Sequence, residues 1–192
     1  ARQRRSFYRA EIERHQAEGR FATREEFLGW CAMRLSVRPM EGRDAARVVE
    51  LMTRTHQLNT TGLQLGSEEL AGLLHASDDG RRVFVAELVD RFGTYGIIGT
   101  AIIDRSRDRW RLLYFALSCR VMGRGIERAF LSALIRKATG VTPSTIEAEF
   151  RDTGRNRMMR AMYQMMNFRP HAAPEKDGSL VFESNVLELP AP

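Results

Sequence analysis

The chain has 192 residues, 43% of them hydrophobic, and carries 30 basic against 24 acidic residues for a formal net charge of +6. That length suits one domain and that apolar content supports a packed core, which excludes a disordered chain. No apolar run reaches the roughly 18 residues needed to span a bilayer, and no signal-peptide pattern is present in ARQRRSFYRAEIERH.

The opening segment reads as a helix from Arg2 to Gly19, with Phe7, Tyr8 and Ile12 as its apolar face. Because the chain does not open on methionine, the expectation is a piece of a longer protein. Thr23-Arg-Glu-Glu26 has the spacing of a capping box and starts a second helix with Phe27, Leu28 and Trp30 on its sticky side. Residues 1–32 are expected to form a helical lead-in, or a linker from an upstream domain, ahead of a main domain over 33–192.

MRLSVRPM (33–40) alternates as a half-buried strand. Asp44 opens a helix whose inner side is Ala45, Val48, Val49, Leu51 and Met52, and a polar, turn-like THQLNTTG (55–62) follows. A further helix spans 67–76. Strands at 83–90, 97–104 and 110–118, with short connections, make an antiparallel meander. Gly125 to Ala138 is helical by the spacing of Ile126, Phe130, Leu131, Leu134 and Ile135. A strand at 144–150 and a helix from about Gly154 to Met166 come next, with Asn167 suited to a left-handed cap. FRPH and SLVFESNVLEL supply closing strands. The fold class is therefore α+β, three layers around a mixed and mainly antiparallel sheet.

The chemistry points to SCRVMGRGIERAF (118–130). A helix that starts after Gly123 and Gly125 offers first-turn N–H groups and a positive dipole end, and glycines let an anion approach closely. Arg120 and Arg124 strengthen that reading. A dinucleotide fingerprint would need glycine where Arg128 stands, and a G-K-[ST] phosphate loop is absent. Of the basic residues only Lys137 and Lys176 are lysines, which reads either as codon bias or as a surface for an acidic partner. No zinc spacing and no nucleic-acid-binding pattern occurs. Cys31 and Cys119 do not make a disulfide framework, so reduced thiols in the cytoplasm are expected.

Arg120-Val121-Met122-Gly123-Arg124-Gly125 resembles the acyl-CoA-binding motif of the GNAT acyltransferase superfamily, Gln/Arg-x-x-Gly-x-Gly/Ala. The element order is that of the superfamily as well. Asn156-RMMRAMY-QMMNF168 is similar to its second motif, with Asn167 in place of a glycine. LMTRTHQLNTTG, VFVAELVDRFGTYGIIGTAII and LSCRVMGRGIE resemble more narrowly the C-terminal region of FkbH-like proteins. These join a haloacid-dehalogenase-type phosphatase domain to a GNAT-like domain and are associated with glyceryl transfer to an acyl carrier protein in polyketide pathways. The phosphatase signature D-x-D-x-[TV] is absent, and His56 stands where that family has asparagine.

The resemblance implies an acyl-CoA or phosphopantetheine-linked acyl thioester held by Arg120 through Ile126, with the pantetheine arm in strand-like contact between the fourth and fifth strands. No metal, nucleic acid or membrane is expected. Cys119 is either a nucleophile that takes the acyl group or a small buried hydrophobe. His56 is a general base or a solvated loop residue. Asn59, Thr60 and Thr61 line the acyl or acceptor pocket or serve the turn. The resemblance makes Tyr163 the acid for a leaving thiolate; the alternative is a core aromatic. Asn156 holds pantetheine or caps its helix. Three functions follow: an acyltransferase domain handling a small acyl unit, glyceryl foremost, on an acyl carrier protein; an acyl-CoA-dependent N-acyltransferase acting on an amine; or a non-catalytic carrier-protein docking module.

Overall fold

The computed structural model describes residues 2–75, 80–105, 109–136, 144–171 and 178–186. Helices α1 (Arg2–Glu18) and α2 (Arg24–Trp30) lead into strand β1 (Arg34–Pro39), then α3 (Ala45–Arg54) and α4 (Ser67–His75). The meander β2 (Arg81–Asp90), β3 (Gly93–Asp104) and β4 (Arg109–Leu117) follows, then α5 (Ile126–Arg136), β5 (Thr145–Arg151), α6 (Arg157–Met165), β6 (Arg169–Pro170) and β7 (Ser179–Asn185). The strands form one seven-stranded sheet in the order β1-β2-β3-β4-β5-β7-β6. The α+β expectation and the element order hold.

β2 is apolar on both faces because both are covered. Val83 and Val85 join Val48 and Met52 of α3 and Leu70 of α4 on one side. Phe84, Ala86 and Leu88 join Phe130 and Leu134 of α5 in the cluster that also takes in Met159, Met162 and Tyr163 of α6. The methionines at helical spacing are thus largely core, although Met158 and Met165 are exposed.

Two boundaries that differ from the sequence reading have a backbone cause. β3 begins at Gly93, inside the stretch expected to be a turn. Gly93 and Gly96 have φ of 135° and 66°, and the β2–β3 register slips between Ala86 and Glu87 and between Leu88 and Val89. Glycine there lets a bulged strand continue. α6 begins at Arg157 because Gly154 has φ of 74° and cannot enter a right-handed helix in that conformation. The end of the fourth helix at Ala76, residues 137–138 of the fifth and the end of the last strand beyond Val186 lie outside the described residues.

The expected apolar face of α1 is a correction. Tyr8 is 70% and Ile12 58% exposed, whereas Arg14 is only 3% exposed. Helix α1 docks through the Arg14–Asp90 ion pair and through Ala17, not through Tyr8 and Ile12. α2 conforms: Thr23 and Glu26 make both bonds of the capping box, and Phe27 packs with Ala17 and Cys31.

Among the described residues β4 and β5 are the one parallel pair. They stay in register only from Arg109↔Thr145 to Leu112↔Ala148 and then part. That parting places the site.

Candidate active site

The end of β4 runs straight into the glycine turn. Ser118 donates its N–H to the Ile98 carbonyl at 2.7 Å, which keeps the chain on the sheet until that residue. A short 3-10 turn over Cys119–Val121 follows, with the Ser118 hydroxyl accepting from the Arg120 N–H. Val121 is fully buried and anchors the turn; Cys119, at its start, is exposed. Gly123 and Gly125 have φ of 72° and 73°. A side chain in that left-handed region costs about 1–2 kcal/mol, which is why glycines stand there. α5 then begins with first-turn N–H groups that have no acceptor within the helix. This backbone suits an anion such as a phosphate.

The arginines of the turn brace it. Arg120 donates from Nε to the Ser118 hydroxyl at 3.2 Å and from Nη2 to the Tyr95 carbonyl at 3.2 Å. Burial, followed by the nearby Arg47 cation, lowers its pKa from the ordinary guanidinium value. Arg124 donates to the Tyr95 hydroxyl, lies over the Tyr95 ring, and has Nη2 3.6 Å from Glu11. Arg24, at the start of α2, donates to the Gly123 carbonyl at 3.0 Å. Nothing in the sequence marked Arg24 or Tyr95 as part of this site. The capping box located the start of α2, and that was the only signal available for Arg24.

The lead-in is wired to the same turn. Arg14 donates from Nε and Nη2 to one carboxylate oxygen of Asp90 at 3.0 and 2.8 Å, and it also pairs with Glu11. Tyr95 donates its hydroxyl to the same Asp90 oxygen at 2.9 Å. The Arg14 guanidinium lies over the rings of Phe92 and Tyr95. Burial raises the Tyr95 pKa far above its ordinary value, so the phenol keeps the proton it donates. Glu11, Arg14, Asp90, Tyr95 and Arg124 form one chain of contacts from α1 to the turn.

The Leu58–Thr60 part of the loop after α3 does not line an open pocket. Leu58–Thr60 lies between the parted strands. Thr60 donates its N–H to the Phe115 carbonyl at 3.0 Å and accepts from the Arg151 N–H at 2.9 Å. Leu117 donates to the Leu58 carbonyl at 2.8 Å, and Asn59 bridges Ala116 in antiparallel fashion. Asn59 is buried: its Nδ2 donates to the Thr55 carbonyl and the Tyr114 hydroxyl, and its Oδ1 accepts from Thr61 and Gly62. The expectation of Asn59 and Thr60 as pocket-lining residues is therefore corrected, because their polar groups serve the chain itself. Thr61 is half-buried beside them.

Asn156 makes no capping hydrogen bond. It is fully buried, and Nδ2 donates to the carbonyls of Asn59, Thr60 and Arg151 while Oδ1 accepts from the Thr153 N–H. Both readings of Asn156, as pantetheine holder and as helix cap, give way to this internal role. Tyr163 is likewise buried. Its hydroxyl donates to the Glu149 carbonyl at 3.4 Å and hydrogen-bonds with the Thr60 side chain, and burial drives its pKa far upward. The core-aromatic reading of Tyr163 fits; an acid reaching a thiolate at the surface does not.

His56 is exposed. The loop runs antiparallel to β4, with Leu58 beside Leu117. His56 lies two residues upstream of Leu58, and Cys119, where the chain has left β4 for the 3-10 turn, lies two residues beyond Leu117. At the other end of the loop, Leu63, Leu65, Leu73, Ile102 and Leu113, with Glu69 and Arg81, line an apolar recess of about 270 Å³. Among the described residues Glu147, His171 and Glu183 have ligand atoms within 4.8 Å of one another. Glu147 faces Glu183 directly across β5 and β7, and Arg111 adjoins Glu147 in the β4–β5 register. Arg111 pairs with Glu149 at 2.9 Å, and His171 Nδ1 lies 3.6 Å from Glu183.

No protein-family profile matches the chain, and no curated protein is similar to it in sequence. Solved structures are similar in fold. The ribosomal-protein-S18-alanine N-acetyltransferase from Escherichia coli superposes with a TM-score of 0.59 at 17% identity, covering 80% of this chain and 94% of that one. A spermidine N-acetyltransferase chimera from Vibrio cholerae and hSSAT gives 0.61 at 14% identity, covering 80% and 96%. The GNAT domain of S. lividans PAT gives 0.59 at 19%, covering 78% and 89%. The chain shares the GNAT fold with these structures.

Proposed function

We propose that this chain is an acyltransferase domain that passes a small acyl unit, with glyceryl the leading candidate, between thioesters on phosphopantetheine carriers. The observation that carries the reading is the exposed Cys119 where β4 enters the glycine turn. The shared fold supports acyl transfer in general, and the FkbH-like resemblance supports the glyceryl unit and the carrier protein. The +6 chain suits an acidic acyl carrier protein. The wider reading includes an upstream phosphatase-type domain, a place in polyketide-type biosynthesis, and a cytoplasmic setting.

The residues divide the work as follows. The amides and glycines of 123–126, braced by Arg24, Arg120 and Arg124, hold the carrier's phosphate. His56 takes the Cys119 proton as sulfur attacks the thioester carbonyl. The carbon–sulfur bond to the carrier then breaks, and the departing thiolate takes the proton back. The acyl group rests on Cys119 until an acceptor thiol reverses the step, so bonds and protons balance without an added reactant.

The test is intact-mass measurement after incubation with an acyl-CoA or an acyl carrier protein. Wild type is expected to gain one acyl mass, and Cys119→Ala none. Full transfer by Cys119→Ala would remove the nucleophile and favour the N-acyltransferase reading, in which an amine attacks directly. A second reading, a non-catalytic docking module, is favoured by the filled gap between β4 and β5. Tight holo-carrier binding without any adduct would decide for it.

A further inference from the structure

We infer that the gap between the parted ends of β4 and β5 is a permanently closed seam, held by Asn156, and that a thioester handled here reaches Cys119 from the solvent side. It rests on the acyltransferase reading only for its last clause.

A pantetheine arm lying between these strands would need backbone groups of β4 that face the gap. Those groups are taken. The Phe115 N–H donates to the Thr60 hydroxyl at 3.1 Å, the Phe115 carbonyl accepts from Thr60, and the Leu117 N–H donates to Leu58. The far side is closed by Arg151, which donates to the Thr60 carbonyl. Leu58–Thr60 thus acts as a short strand between β4 and β5, and the strand-like pantetheine contact expected from the sequence finds no partners. The turn at 123–126 fits the phosphate of such a carrier; the gap does not fit its arm.

The closure is built into the fold. Leu58, Asn59 and Thr60 are all buried, as is Asn156. One Asn156 side chain ties the seam to the end of β5 through the Asn59, Thr60 and Arg151 carbonyls and to its own turn through Thr153. The Tyr163 hydroxyl also hydrogen-bonds with the Thr60 side chain. A satisfied buried network of this kind is costly to open, because each donor released from it is stranded away from water. Asn156 thus holds Asn59 and Thr60 against the end of β5.

Amide hydrogen exchange at Thr60, Phe115, Leu117 and Arg151 tests this on the full chain, with and without coenzyme A, beside the Cys119 mass measurement with acetyl-CoA. The four amides are expected to exchange slowly, within twofold of one another's rates with and without coenzyme A. Asn156→Ala should speed them about tenfold or more, since local opening is set by the hydrogen bonds lost, and Asn156→Gln should recover part of the protection. If Asn156→Ala fails to fold, Thr60→Val removes the Phe115 acceptor with little change in shape and should speed Phe115 first. Coenzyme A that opens the Thr60 amide while protecting Leu117 would overturn the inference. Unchanged rates in both variants would overturn it as well. The two readings separate: a Cys119 adduct with an opened seam overturns only the seam, whereas a closed seam without an adduct overturns only acyl transfer.

Discussion

Arg24 Nη2 donates to the Gly123 carbonyl at 3.0 Å, fastening the N-terminal helix pair to the turn that precedes α5. The same guanidinium lies 3.2 Å from where a Cβ on Gly123 would stand. Gly123→Ala therefore meets both a left-handed backbone and this contact. Loss of about 1–2 kcal/mol is expected, read as a lower urea midpoint. Arg24→Ala should leave stability nearly unchanged and weaken phosphate or coenzyme A binding at the turn, measured by calorimetry. Equal binding by Arg24→Ala and wild type would show that the lead-in takes no part in the site.

The buried Arg14–Asp90 pair makes a larger prediction. Removing one member leaves the other charged and buried, which costs about 3–5 kcal/mol in comparable cases. Asp90→Asn should therefore unfold well below wild type and release Tyr95, seen as increased tyrosine exposure. Stability within 1 kcal/mol of wild type, a threshold typical of surface pairs, would mean that the pair is not formed in solution.

The two thiols should separate cleanly. Cys31 is 1% exposed, and burial, followed by the Asp90 charge, raises its pKa, both of which slow alkylation. Cys119 is exposed. Iodoacetamide at neutral pH should label Cys119 in the folded chain and Cys31 only after denaturation, as peptide mass mapping would report. Labelling of Cys31 first would contradict the packing of Phe27 and Ala17 around it.

Acid sensitivity should come in part from Asp44. Arg38 holds it with two hydrogen bonds, at 2.6 and 3.0 Å, and the Glu41 N–H adds a third. The Arg38 contact lowers the Asp44 pKa from its ordinary value of 3.8. A lowered folded-state pKa gives stability that is complete above the unfolded value and is lost as pH falls through the folded one. Asp44→Asn should therefore lower stability at pH 7 and lose less of it on going to pH 3, in chemical denaturation at both values. A parallel drop in the two proteins would assign the acid sensitivity elsewhere.

Much of the architecture was legible in the sequence because it depends on local pattern. Val83 to Asp90 reads as a strand, Val48, Leu51 and Met52 mark one helix face, and Asn167 takes its positive φ of 61° where a cap was expected. The glycines of the turn were legible for the same reason, since a positive φ restricts residue choice at that position alone. The apolar face assigned to α1 failed because an amphipathic pattern was read from Tyr8 and Ile12. The helix instead docks through Arg14, whose partner Asp90 lies 76 residues away. Gly99 gave no local hint either: a Cβ there would sit 2.8 Å from the Phe130 ring of α5.

The sequence by itself determined which segments are strands and helices, and where the chain must turn through glycine next to Cys119. Those properties are set by side-chain periodicity and by backbone sterics within a few residues. Only the tertiary structure decided what fills the space where β4 and β5 part. Asn59, Thr60, Asn156 and Tyr163 are the residue types one would choose to hold a ligand. They hold one another because buried polar groups must find partners, and in this fold the partners that reach them first belong to the chain itself.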